Sequence, residues 1–219
     1  MGNITFRVSD NSKEDFLKKM ELEEKLHSYL KTRSSHRDPE EWEIVYENLY
    51  GSFGFLDNKT TFVVFAENDN KTIGYIEVET DYSIRTSSHG EISAYGAIKN
   101  IYIEPKFRVA GIALQLLRKG VNILLEHGVD KAIVNVHTDN PFRFFHYAIC
   151  DEVLSTKRQI QKDGPTRYTK TLAINDLRKI QNMSLIEIFR KKREHQKNYE
   201  VHGMEMGEVA VGSDGETVG

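Results

Sequence analysis

Between Pro105 and Leu117 the chain reads PKFRVAGIALQLL, a short basic stretch that meets a glycine and runs on into an amphipathic pattern. A helix that begins there leaves its first backbone N–H groups without intrahelical partners and turns the positive end of its dipole outward. Arg108 to Ala113 is therefore a ready cradle for a phosphate or diphosphate. Gly111 permits close approach, Ala113 keeps the helix surface clear one turn in, and Lys106 and Arg108 can add charge-assisted contacts. The plainer reading of the same residues is an ordinary strand-to-helix turn. Neither a Walker A sequence nor a Gly-x-Gly-x-x-Gly turn occurs, so ATP and NAD readings lack their phosphate loops. None of the eight histidines has a metal-ligand spacing, and Cys150 is the only cysteine, so neither a metal centre nor an intrachain disulfide is expected.

The elements that must position this cradle follow from pattern. Ile101 to Ile103 end a strand, Ala97 to Pro105, and Gly111 to Gly128 is the clearest helix, with Ile112, Leu116, Leu117, Val121, Leu124 and Leu125 at helical spacing. Lys131 to Val136 then reads as a buried strand, so the unit is βαβ with parallel strands. Upstream, Ile4 to Val8 alternates as a strand. Ser12 with Asp15 resembles a capping box for a helix ending near Thr32, with Phe16, Met20, Leu26 and Leu30 on its apolar face. Asp38-Pro39 starts a second helix striped by Trp42, Val45, Tyr46 and Leu49. Thr60 to Glu67 and Lys71 to Thr80 form a hairpin around Asn68-Asp69-Asn70, and the Ser-, Thr- and Gly-rich stretch Asp81 to Tyr95 reads as a long connection. Asn140-Pro141 opens a helix to about Cys150, and Glu152 to Leu172 makes two strands around Lys162 to Pro165.

The stretch Ile101 to Leu117 resembles the GNAT acetyltransferases, whose signature is Arg or Gln, two residues, Gly, one residue, then Gly or Ala. Arg108-Val109-Ala110-Gly111-Ile112-Ala113 matches it, with the family's preceding strand and following helix. Element order is similar from about Ile4 to Leu172, and motif-level similarity runs from Ile101 to Tyr147. The resemblance implies a mixed α/β fold with a mostly antiparallel central sheet flanked by helices, and acetyl-CoA as cosubstrate. It implies that the backbone of Ile101, Tyr102 and Ile103 holds the pantetheine arm as an added strand, where the strand splays from its neighbour, and that Arg108, Val109, Ala110, Gly111, Ile112 and Ala113 hold the pyrophosphate. Asn140 and Tyr147 stand at the family's Asn–Tyr spacing, Asn140 near the pantetheine and Tyr147 near the sulfur, where a phenol can protonate the departing thiolate. As bare residues, Tyr147 reads equally as an aromatic beside Phe142, Phe144 and Phe145, and Asn140 as an N-cap. Asp151-Glu152 stands where the family usually has Gly-Phe, which bears on the depth of the sulfur pocket.

An amine must lose a proton to attack, and the family's strand carboxylate has no counterpart at Ala97 or Ile98; Glu91 and His89 are the substitutes, each also readable as a solvated loop residue. Without that carboxylate a non-catalytic acyl-CoA-binding regulatory module is the alternative. Glu40, Glu41, Glu43 and Glu47 make the second helical region acidic, which favours a cationic amine acceptor. A net charge of −3, from 30 Lys and Arg against 33 Asp and Glu, gives no global attraction to nucleic acid or anionic membrane. No apolar run is long enough to span a bilayer and no leader is legible, so a cytoplasmic protein, monomer or homodimer, is expected. Residues 1–172 are read as the acetyltransferase domain, and 173–200 as a helical extension that docks on its own domain, with Ser184 and Glu187 as capping box and Leu185, Ile186, Ile188 and Phe189 as its apolar side. The basic run Arg190 to Arg193 reads as a solvated face, and 201–219 as a flexible tail.

Overall fold

The computed structural model describes residues 3–33, 59–85, 92–108, 111–137, 143–159 and 167–203. Seven strands form one sheet: β1 (Ile4–Val8), β2 (Thr61–Asn68), β3 (Lys71–Arg85), β4 (Ile92–Ile103), β5 (Ala132–His137), β6 (Glu152–Gln159) and β7 (Arg167–Ile174). Their order is β1-β2-β3-β4-β5-β7-β6, and every neighbouring pair is antiparallel except β4 with β5. The β2–β3 hairpin turns at Asp69 and Asn70, both with positive φ (48° and 66°), the conformation a tight two-residue turn demands and Asx residues tolerate.

Strands β3 and β4 are longer than the sequence pattern indicates. Asp81 to Arg85 and Ile92 to Tyr95, read as a connection, pair with each other as Tyr82↔Tyr95 through Arg85↔Ile92. Tyr82, Ile84, Ile92 and Tyr95 are strong strand formers, and the ladder carries the serines between them. The second helical region, 38–51, lies outside the described residues.

Helices cover both faces. On one, α2 (Ile112–Glu126) lays Leu116, Leu117, Val121 and Leu124, all at most 1% exposed, against Ile76, Val78 and Ile98 of the sheet. Each such side chain contributes about 1.5–3 kcal/mol by leaving water. On the other, α1 (Lys13–Arg33) packs Leu22 and Leu26 on Phe65, Tyr75 and Tyr102. Its buried face also carries Asp15 and Lys19, which is why its apolar periodicity is weak. Ser12 Oγ accepts from Asp15 N at the helix start, but the Asp15 carboxylate takes a bidentate pair from Arg7 at 2.7 Å instead of closing a capping box. Arg7 also reaches Glu67, so β1, α1 and β2 are pinned together.

Beyond β5, α3 (Arg143–Ile149) sits on the α2 side of the sheet. After β7 come α4 (Arg178–Asn182) and α5 (Leu185–Gly203). Leu177, Ile180, Met183 and Ile188 join the main core, so these helices are packed into it and α5 lies on α3. Ser184 Oγ accepts from Glu187 N as its capping pattern implies. The apolar side of α5 is narrower than the sequence indicates: Leu185 and Ile188 face inward, whereas Ile186 is 82% and Phe189 48% exposed. Ile186 and Phe189 lie off the i, i+3 line that Leu185 and Ile188 define.

Candidate active site

The parallel pairing of β4 with β5 is short. Gly96, Ala97 and Ile98 pair with Ala132, Ile133 and Val134, and among the described residues no ladder contact to β5 goes further. Strand β4 continues through Lys99 to Ile103, while β5 continues to His137 along β7. At the parting, Glu77 pairs with Asn100 and Val78 with Ile98, so Lys99 is an extra residue, a β-bulge that bends β4 away. From Lys99 to Ile103 the strand is held by β3 on one edge and offers the other to an amide-bearing ligand that can add as a strand.

Opposite ladder partners keep this edge in place. Tyr102 is buried on the α1 face with Tyr75, while Ile101 and Ile103 pack on the α2 face. Gly74 lies so close beneath that a Cβ there would stand 2.5 Å from the Tyr102 carbonyl oxygen. The polar supports are Glu77, which accepts from Asn100 Nδ2 at 3.2 Å and pairs with Lys19 at 3.1 Å, and Glu23, 3.1 Å from the same ammonium. Burial pushes the Glu23 carboxyl above its usual range against the opposing pull of Lys19. Sequence reasoning missed this cluster; its one signal was Glu77 interrupting the apolar run Ile73 to Val78.

From Ile103 the chain passes through Glu104, one 3-10 turn (Pro105–Phe107) and Arg108 to Gly111, where α2 begins. Gly111 has φ 110°, a left-handed conformation in which any other residue is strained. The first α-helical bond is Gln115 N to Gly111 O, so the N–H groups of Ile112, Ala113 and Leu114 have no partner within the helix. Among the described residues no side chain caps this end, and its first turn carries no carboxylate to compete with an anion. Arg108 folds back over β4: its Nε donates to the Ile103 carbonyl at 2.8 Å and its guanidinium lies 5.6 Å from the Tyr102 ring. It braces the turn, and the Ile103 carbonyl is engaged by it. Lys106 stands over Phe107, 3.9 Å from Glu104. Val109 and Ala110 lie outside the described residues, as do Asn140, Glu91 and His89.

Tyr147 is half-buried on α3, its ring edge-on to Phe144 at 6.2 Å, with the Lys170 ammonium 5.6 Å from the ring centre and His195 of α5 at 6.1 Å. Its neighbour His146 is enclosed, and burial lowers its pKa from 6.5 to about 4, so it is a neutral core residue at physiological pH. Burial likewise pushes the Cys150 thiol up to about 12, which makes it a poor nucleophile. On the α1 face, Glu21, Glu24, Lys25, Ser28, Tyr102, Glu104, Pro105 and Lys106 line an open cleft of about 600 Å³. Lys25 spans it, 2.7 Å from Glu21 and 2.8 Å from Glu104.

Residues 20–145 match the sequence model described as the acetyltransferase (GNAT) family. Among solved structures, the chain resembles a GNAT-family protein from Desulfovibrio desulfuricans (TM-score 0.54, 14% identity, 80% of this chain and 99% of that one). It also resembles the Paia N-acetyltransferase from Thermoplasma acidophilum in complex with coenzyme A (TM-score 0.51, 20% identity, 76% and 98%). At these identities the likeness speaks for the fold. No curated protein sequence matches it.

Proposed function

The chain belongs to the acetyltransferase (GNAT) family, and from that premise we propose that it transfers acetyl from acetyl-CoA to a primary amine by direct attack in a ternary complex. One observation carries the reading: the open β4 edge, Lys99 to Ile103, leads directly into the uncapped start of α2 at Gly111. A pantetheine arm has amides that suit the first, and a diphosphate has charge that suits the second. That the Thermoplasma relative holds coenzyme A supports the same choice of cosubstrate.

In this reading the edge of β4 orients the arm, and the amides of Val109 to Gly111 with those of Ile112 and Ala113 hold the diphosphate, whereas the Arg108 N–H is already given to the Pro105 carbonyl. Acetyl-CoA supplies an activated acyl group; the amine nitrogen forms a bond to the acyl carbon as the C–S bond breaks and the thiolate leaves. Tyr147 gives that thiolate its proton, and Asn140 steadies the arm. The amine's own proton goes to Glu91, with His89 as the other candidate. The acidic run Glu40, Glu41, Glu43 and Glu47 in the sequence supports a cationic acceptor.

The test is thiol release from acetyl-CoA with a panel of cationic, neutral and anionic amines. Turnover above the hydrolysis background, strongest with cationic amines, is expected. Saturable binding of acetyl-CoA without thiol release for any amine would support a regulatory acyl-CoA-binding module instead, and exclusive turnover of neutral or anionic amines would refute the cationic acceptor.

A further inference from the structure

Helix α5 runs across both ends of the site just described. Its approach is fixed by α2: Arg118 Nη2 donates to the Met183 carbonyl at 2.8 Å, and Gln181 Nε2 to Asn122 Oδ1 at 2.8 Å. At its first turn, Leu185 Cδ1 lies 3.8 Å from where a Cβ on Gly111 would stand, so this side chain borders the helix start that forms the cradle. One turn on, Ile188 is buried with Ala148 and Ile149 of α3. Two turns further, the His195 ring stands beside Tyr147. Leu185, Ile188, Lys192 and His195 follow the i, i+3, i+7, i+10 spacing of one helical face. Lys191, the adjacent cation, turns aside to Glu187. Half-buried Lys192 is thus the ammonium on the face that begins at Gly111 and ends at Tyr147.

The distance along this face suits the ligand. Ten residues of α-helix, Leu185 to His195, rise about 15 Å. A pantetheine arm is comparable to roughly four residues of extended chain, about 14 Å. The helix therefore starts where the diphosphate would lie and reaches the side chain expected at the thiol.

On these grounds we infer that α5 is the outer wall of the acyl-CoA channel, with Leu185 closing it beside the diphosphate and Lys192, about 10 Å further along and one turn short of His195, donating to the amide carbonyls of the arm. This rests on the acetyl-CoA site proposed above. It gives the basic C-terminal helix a binding role in addition to its place in the core.

The test uses the full chain, with coenzyme A as probe, in two readouts independent of turnover: hydrogen exchange with and without coenzyme A, and calorimetric affinity. Residues 185–197 should gain protection when coenzyme A binds. Lys192→Glu should weaken affinity about tenfold to a hundredfold with its melting temperature unchanged, because it replaces a charged donor to the arm's carbonyls with an acceptor. Leu185→Trp should weaken it as well, by filling the space over Gly111; should that variant not fold, Lys192→Glu decides alone. Wild-type affinity in the folded variants overturns the inference, with or without protection of α5, since a helix that only stiffens at a distance makes no contact. If the wild-type chain itself does not bind coenzyme A, the cradle reading has failed first, and the two failures are told apart by that control.

Discussion

Tyr147 stands at a junction of α3, β7 and α5, between Phe144, Lys170 and His195. If its phenol protonates the leaving thiolate, Tyr147→Phe should lower turnover roughly ten- to ten-thousandfold while coenzyme A affinity stays nearly constant. Single-turnover thiol release together with calorimetry separates the two effects, and unchanged turnover would remove Tyr147 from the mechanism. The adjacent His146 makes a different prediction, about stability. Its folded pKa, about 4, lies below the ordinary 6.5, so the unfolded chain binds more protons between those values. The histidine costs nothing above pH 6.5, and stability falls as pH drops from 6.5 toward 4, by roughly 3 kcal/mol at most. Glu23, with its raised carboxyl, acts in the opposite sense, so the readout is the difference between melting curves of wild type and His146→Leu. That difference should grow on acidification; parallel curves would contradict the buried neutral imidazole. Asp15, held far below the usual carboxylate range by Arg7, loses its contribution only at lower pH.

At the scale of elements, the open edge of β4 depends on close backbone approach from β3. Gly74→Ala would force its Cβ against the Tyr102 carbonyl, where no side chain can swing away, at a cost of about 1–3 kcal/mol. Coenzyme A affinity should fall with it, because Tyr102 belongs to the ligand edge; a destabilised variant that binds normally would place the arm elsewhere. The βαβ unit from β4 to β5 was legible in the sequence, since α2 has a continuous apolar stripe and its flanking strands are short and uninterrupted. The splay was legible only through the family resemblance, because no local pattern marks where Lys99 bulges. The buried side of α1 was misread in part: Leu22 was overlooked, and Asp15 and Lys19 are inside because Arg7 and Glu77 meet them there. Such partnerships join residues distant in sequence, which helical periodicity cannot register.

The molecule as a whole closes with α4 and α5, whose inward residues belong to the main core. Leu177, Ile180, Met183 and Ile188 are each at most 3% exposed, and at about 1.5–3 kcal/mol apiece their loss approaches the whole stability of an ordinary domain. A chain ending at Leu172 should therefore fail to give a cooperative thermal transition, and a folded, active truncation would show that the extension is dispensable. The account as a whole depends on anion binding where α2 begins. It is tested most directly by titrating coenzyme A into the wild-type chain and into Gly111→Glu, which adds bulk, strain and negative charge at that one point. Saturable binding by the wild type and none by the folded variant is the expected result. Equal binding by both, or none by the wild type at millimolar coenzyme A, would contradict it.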